Sequence, residues 1–223
     1  MLYIISTPIG NLKDITFRAI ETLKSVDMIA AEDTRHTKIL LDHYDIQKPL
    51  TSYFDHNQKA KGEYLLRLFK EGKNIALVSD AGTPGISDPG YSLIKLAQDN
   101  GIEVCVIPGV TALICALTLS GLPAHNFIFE GFLPPKTVGR CKKLESFKNE
   151  NRTIIVYESV HRLIKTLEDI KIVLADPYIV VARELTKKFE EVKKGKASEL
   201  IEHFNTHEPK GEFVLLLNLT VGQ

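Results

Sequence analysis

Short apolar runs alternate along the whole chain with segments in which apolar residues recur every three to four positions. Runs at 2–6, 28–31, 75–78 and 104–107 predict strands. Residues 17–26 carry Phe17, Ile20 and Leu23 at helical spacing, and 34–44 place Ile39, Leu40 and Tyr44 on one face. Further helices are expected at 64–70, 91–97 and 111–120. Strand and helix in strict alternation predict a mostly parallel sheet covered on both faces. The pair Pro134-Pro135 stops any helix and stiffens the chain. We therefore expect a linker at 122–135, between a first domain at 1–121 and a second at 136–223. The second pattern comprises strands at 153–157, 178–182, 190–194 and 212–218, with helices at 161–174 and 197–204. Its later strands suit an antiparallel edge.

The 223 residues are 44% hydrophobic, enough for two modest cores and against disorder. Lysine plus arginine equals aspartate plus glutamate at 28 each, so any nucleic-acid footprint must be local. No apolar run is long enough to cross a bilayer, and the first residues lack the basic start of a signal peptide, so the expected location is cytoplasmic. Cys105, Cys115 and Cys141 are odd in number and far apart, which predicts neither a disulfide framework nor a zinc site. The seven histidines form no metal-ligand spacing.

Four predicted strands end in unusual loops. They are Ser6-Thr7-Pro8-Ile9-Gly10-Asn11, Ala31-Glu32-Asp33-Thr34-Arg35-His36, the segment 79–90 (SDAGTPGISDPG) and Pro108-Gly109-Val110-Thr111. Ligands of open α/β sheets bind beyond the carboxyl ends of strands. Three of the four loops are rich in proline and glycine, whose bare backbone admits a close ligand. There is no G-x-G-x-x-G after the first strand, no phosphate-binding P-loop and no nucleophile elbow. Dinucleotide, nucleotide-hydrolase and serine-hydrolase readings therefore lack support.

Seven blocks, TPIGNLKDITFRA, AAEDTRHT, LVSDAGTPGISDPGY, PGVTAL, FEGFLPPK, YESVHRL and ARELTKKFEE, together resemble the rRNA-directed members of the tetrapyrrole methylase family. The resemblance runs in order from Leu2 to about Leu217. It implies two αβα domains of the class III methyltransferase type, S-adenosyl-L-methionine folded into a cleft between them, and a homodimer. It implies 2′-O-methylation of a cytidine in the decoding region of 16S rRNA. Longer members continue past the last strand into a helical module, so rRNA contacts from that module are expected to be missing from a chain that stops at Gln223. By the same resemblance, Pro8, Gly10, Ala81, Gly82, Thr83, Ile86, Thr111, Ala112, Glu158 and Leu185 are expected to line the cofactor.

A 2′-hydroxyl is a weak nucleophile, and a base that removes its proton would help the displacement. Asp33 and Glu184 are the candidates. Each lies near an arginine that would weaken it as a base, and capping for Asp33 or ion pairing for Glu184 remains an open alternative. RNA phosphates would be met by local charge. Residues 136–148 hold five basic residues against Glu145, among them Lys136, Arg140, Lys142 and Lys143. A second basic group includes Lys187 and Lys188, and Arg18 and Arg35 lie near the first-domain loops. The alternatives are a tetrapyrrole or corrin-precursor C-methyltransferase of the same family and a non-catalytic ribosome-binding module.

Overall fold

The computed structural model describes residues 1–220 and divides into two compact units, Met1–Thr111 and Ala112–Gln223. Residues 221–223 of the expected second domain lie outside the described residues. No helix of the described residues is long and apolar enough to cross a membrane.

The first unit is built on five parallel strands: β1 (Leu2–Ile5), β2 (Met28–Ala31), β3 (Leu50–Ser52), β4 (Ile75–Val78) and β5 (Val104–Ile107), in the order β3-β2-β4-β1-β5. Alternation along the strands sends side chains to two faces. Ile5, Ile29, Ala31, Ala76 and Val78 pack against Ala19 and Leu23 of α1 (Phe17–Ser25) and Leu41 of α2 (Thr34–His43). Leu2, Ile4, Ala30, Ile75 and Leu77 pack on the other face. There they meet Leu65 and Phe69 of α3 (Gln58–Lys70) and Leu93 and Ala97 of α4 (Tyr91–Asp99). Central β4 is buried at every position, as a strand covered on both faces must be. Thr16 caps α1 by accepting from the Ala19 N–H at 3.1 Å.

The second unit opens with α5 (Ala112–Ser120). It continues through β6 (Phe127–Phe132), α6 (Thr137–Glu145), β7 (Thr153–Ser159), α7 (Leu163–Val173), β8 (Tyr178–Arg183), β9 (Glu191–Lys196), α8 (Ala197–Thr206) and β10 (Glu212–Leu217). The sheet order is β6-β7-β10-β8-β9, parallel between β6 and β7 and antiparallel elsewhere. Phe213, Leu215 and Leu217 of β10 share one core with α6, α7 and α8. The alternating Val214 and Leu216 are also buried, and α5 packs on β10 and β8.

Two boundaries differ from the sequence expectation. Helix α5, expected in the first domain, belongs with the second sheet because it packs on that sheet's strands. The expected linker at 122–135 carries edge strand β6, whose bulge at Phe129/Gly131 breaks the alternation that would have revealed it. The segment after β6 is pinned by two arginines. Arg140 donates to the Pro135 carbonyl at 3.2 Å, and Arg162 to the Leu133 carbonyl at 3.2 Å.

Arg140 corrects a second expectation. Its side chain is 2% exposed, and its guanidinium meets Asp169 Oδ2 of α7 at 2.6 Å. It is a structural cation and is closed to RNA. Removing one partner of a buried pair strands the other charge, at a cost of roughly 3–5 kcal/mol. Arg140→Ala is expected to lower unfolding stability by about that amount, whereas the exposed Lys142→Ala should stay within about 0.5 kcal/mol. Urea unfolding of the two variants checks this, and equal midpoints would remove Arg140 from the structural frame.

Candidate methyl-donor loops

The strand ends of the first unit are stitched to one another beyond the sheet. The Thr7 N–H donates to the Gly82 carbonyl at 2.8 Å, and the Gly82 N–H returns to the Thr7 carbonyl at 3.1 Å. The Thr7 hydroxyl donates to the Ser79 carbonyl at 3.0 Å, and the Ser6 and Thr83 hydroxyls are bonded at 2.7 Å. Loops 6–11 and 79–90 therefore form one rigid edge with Pro8 buried and Ile86 exposed. Gly82 has φ +76, and an added Cβ would meet nothing closer than Ile9 Cγ2 at 3.7 Å. The left-handed backbone selects glycine there, and the space beside it stays open. Gly109 is held differently: an added Cβ would lie 2.8 Å from Ser6 Cβ, so the loop after β5 can touch the loop after β1 only without a side chain.

The loop after β2 joins this edge through carboxylates. The Asp33 N–H donates to Asp80 at 3.0 Å, and the Asp80 N–H donates to Glu32 Oε2 at 3.3 Å. Asp33 caps α2 through the Arg35 N–H at 2.8 Å, and its other oxygen meets the Arg35 guanidinium at 2.6 Å. The Arg35 guanidinium first, and the capping N–H second, hold its carboxyl well below the usual range. An acid so stabilised as the anion is a poor proton acceptor.

In the second unit Glu184 sits just after β8 with φ +49 and receives Lys187 Nζ at 2.9 Å and the Glu212 N–H at 3.0 Å. Burial pushes its carboxyl up, but the Lys187 and Glu212 hydrogen bonds win, and its pKa lies below the ordinary value. Leu185 is buried, and Thr186 beside it also has positive φ. The Glu158 carboxylate is fully committed: it accepts from Thr166 Oγ1 at 2.5 Å, the Ser159 N–H at 2.7 Å and Arg162 Nη2 at 2.7 Å. Only its main chain is left for a ligand. Thr111 precedes α5, and Ala112 is that helix's first residue.

The basic residues sort into three groups. Lys136, Lys142 and Lys188 are exposed and make no ion pair among the described residues, and Arg18 is likewise exposed. Lys143 pairs with Glu130 at 2.6 Å, Lys187 bridges Glu184 and Glu212, and Arg35 is bound to Asp33. Arg140 is buried. Charge counting could not see these partners, because Glu130, Asp169 and Glu212 are distant in sequence from the lysines and arginine they hold.

Two polar residues carried no assignment from sequence. Glu32 lies beside Asp80, and Tyr53 follows β3, a strand too short to read from periodicity. Tyr53 is 1% exposed. Burial, with the nearby Asp55 carboxylate, pushes its phenol up to about 12. Among the described residues no group of three or more histidine, cysteine, aspartate or glutamate side chains is arranged to hold a metal ion.

Known proteins agree with this architecture. The chain is 50% identical over 217 residues to ribosomal RNA small subunit methyltransferase I of Thermotoga maritima, covering 97% of each chain. Among solved structures, a cobalt-precorrin-4 methyltransferase of cobalamin biosynthesis superposes with TM-score 0.75 at 18% identity, over 100% of this chain and 96% of that one. Uroporphyrin-III C-methyltransferase from Thermus thermophilus, complexed with S-adenosylhomocysteine, matches with TM-score 0.68 at 19% identity, over 98% of each chain. The family model of tetrapyrrole (corrin/porphyrin) methylases matches residues 1–201, and with this match beside the two sheets and the stitched glycine-proline loops of the first, the chain belongs to that family.

Proposed function

We propose that the chain is an S-adenosyl-L-methionine-dependent methyltransferase that methylates the 2′-oxygen of a cytidine in 16S rRNA. The observation that carries this reading is 50% identity over 97% of its length to an rRNA small subunit methyltransferase. The Thr7–Gly82 edge fits the donor, because it offers bare main chain held in place without a ligand. Ordering a loop in advance reduces the entropy lost on binding.

In this reading Pro8, Gly10, Ala81, Gly82, Thr83 and Ile86 of the first unit hold the donor. Thr111, Ala112 and Leu185, with the main chain of Glu158, contribute further contacts. The bound sulfonium supplies an already activated methyl group. The protein's part is alignment of the acceptor oxygen and exclusion of water. The exposed Lys136, Lys142, Lys188 and Arg18 supply phosphate contacts that position RNA without reading its sequence. We further propose that the partner is the 30S subunit or its free rRNA and that the protein works as a homodimer in the cytoplasm.

Labelled S-adenosylmethionine offered with 30S subunits, naked 16S rRNA and a porphyrinoid precursor tests the substrate. Label is expected in 16S rRNA, and label confined to the porphyrinoid would favour the C-methyltransferase. Calorimetry tests the donor site: Gly82→Val should weaken S-adenosylmethionine binding by about tenfold or more, since 1.4 kcal/mol of loop strain is worth that factor. An unchanged dissociation constant would move the donor elsewhere, and no binding by the unaltered protein would favour a non-catalytic module. Each of Lys136→Ala, Lys142→Ala and Lys188→Ala should reduce the salt slope of RNA binding by about one. Filter binding across salt concentrations reads that slope.

A further inference from the structure

We propose that Glu32 is the base that takes the proton from the acceptor hydroxyl, an inference that rests on the 2′-O-methylation reading above. Glu32 lies directly beyond the carboxyl end of β2, where ligands of open α/β sheets bind. Its Oε2 accepts only the long 3.3 Å bond from the Asp80 N–H, and its Oε1 has no hydrogen-bond partner among the described residues. No cation among the described residues pairs with it, whereas Asp33 is held by Arg35, Glu184 by Lys187 and Glu158 by Arg162. A second, independent feature points to the same place. β2 and β3 run in parallel with Ala31 beside Ser52, so Glu32 and Tyr53 follow side by side. The Tyr53 N–H donates to the Ala31 carbonyl at 2.7 Å. The Tyr53 side chain is 1% exposed and packs in the core on the α3 and α4 face, and its hydroxyl makes no hydrogen bond among the described residues. A free carboxylate oxygen and a free phenol at one end of the sheet suit an acceptor that both gives and receives a hydrogen bond, as a ribose hydroxyl does.

The surroundings make Glu32 a better proton acceptor than an ordinary glutamate. Burial raises its pKa above 4.5, the Asp80 N–H opposes this, and the Asp80, Asp55 and Asp33 carboxylates add to the rise. The charged or titratable groups about it are those three carboxylates, Arg35 bound to Asp33, and Tyr53 beside it in register. In the step, the hydroxyl proton passes to Glu32 Oε1 and then to solvent. The oxygen forms its bond to the methyl carbon, the carbon–sulfur bond breaks, and its electron pair stays on sulfur. A neutral thioether, a methyl ether and one released proton account for every atom and charge.

Glu32→Gln keeps an acceptor for the Asp80 N–H and removes the basicity. With 30S subunits as substrate, its kcat is expected to fall by about 100-fold or more while the S-adenosylmethionine dissociation constant stays within about twofold. Asp33→Asn should lose less than about tenfold. The sign for stability is fixed by the raised pKa: the fold favours the protonated carboxyl, whose stabilising contribution is present below the unfolded value and is lost as pH rises through the folded value. Glu32→Gln should therefore be at least as stable as the unaltered protein at pH 7, where a merely structural carboxylate would leave it less stable. Carbon-13 NMR of glutamate-labelled protein gives a measurement free of activity. The carboxyl resonance absent from Glu32→Gln should titrate above 4.5 in the unaltered protein. Transfer by Glu32→Gln at a rate near that of the unaltered protein, or titration of that resonance at or below 4.5, would overturn the assignment. If Glu32→Gln fails to fold, Glu32→Asp, which keeps a base one methylene shorter, should retain part of the rate, and a rate equal to that of the unaltered protein would count against the assignment. Absence of any methyl transfer to rRNA by the unaltered protein would instead overturn the functional reading itself.

Discussion

One reciprocal pair of main-chain hydrogen bonds, Thr7 with Gly82, governs the rest of the loop edge of the first unit. Parallel strands have no hairpins, so the loops that leave them have no inherent reason to stay together. The β1–β4 ladder ends at Ile4 beside Leu77, and beyond it the chain after β4 turns back so that Gly82 meets Thr7 in the antiparallel sense. That reversal needs a left-handed residue at 82 and a filled turn. Gly82 provides the first, and the Thr7 hydroxyl on the Ser79 carbonyl provides the second. Gly109 against Ser6 then brings in the loop after β5, so three strand ends share one frame before any ligand arrives.

The second unit solves a related problem with charge. Its Pro134-Pro135 segment leaves an edge strand and offers carbonyls that no ladder can satisfy. Arg140 and Arg162 reach those carbonyls, and each guanidinium is itself neutralised by a carboxylate, Asp169 or Glu158. Both carboxylates are buried, so each ion pair needs its full set of hydrogen bonds to be tolerated. A stretch that reads as a linker is in this way fixed to α6, β7 and α7.

The strands of the first unit were legible because β1, β2, β4 and β5 are continuous apolar runs with helices between them. β3 was not, since three residues give no period. β6 was hidden by its bulge, and α6 by its basic composition, with only Leu144 as an aliphatic anchor in its buried face. The glycine-proline loops were legible as a candidate site, but the reason for glycine at 82 was not. Sequence suggested clearance for a ligand, whereas the structure gives backbone conformation with open space beside it. Arg140 was misread because its partner Asp169 lies twenty-nine positions away on another helix.

The same limit explains why the carboxylates were hard to rank. An acid next to an arginine in sequence looks weakened as a base, capped or ion-paired, and sequence alone could not choose among these for Asp33 and Glu184. In the fold their cations come from α2's first turn and from Lys187, and both acids are stabilised as anions. Glu32 has no such sequence neighbour to single it out from Asp33. Its environment is made by strand order: β2 lies between β3 and β4, which brings Asp55 and Asp80 to its sides. Burial is the larger cause of its raised pKa, and Coulomb repulsion from those carboxylates adds to it in a partly desolvated place, where it is felt more strongly than in water. Proton affinity at this edge is therefore a property of topology, set by which strands are neighbours, and no local reading of residues 32–35 could have supplied it.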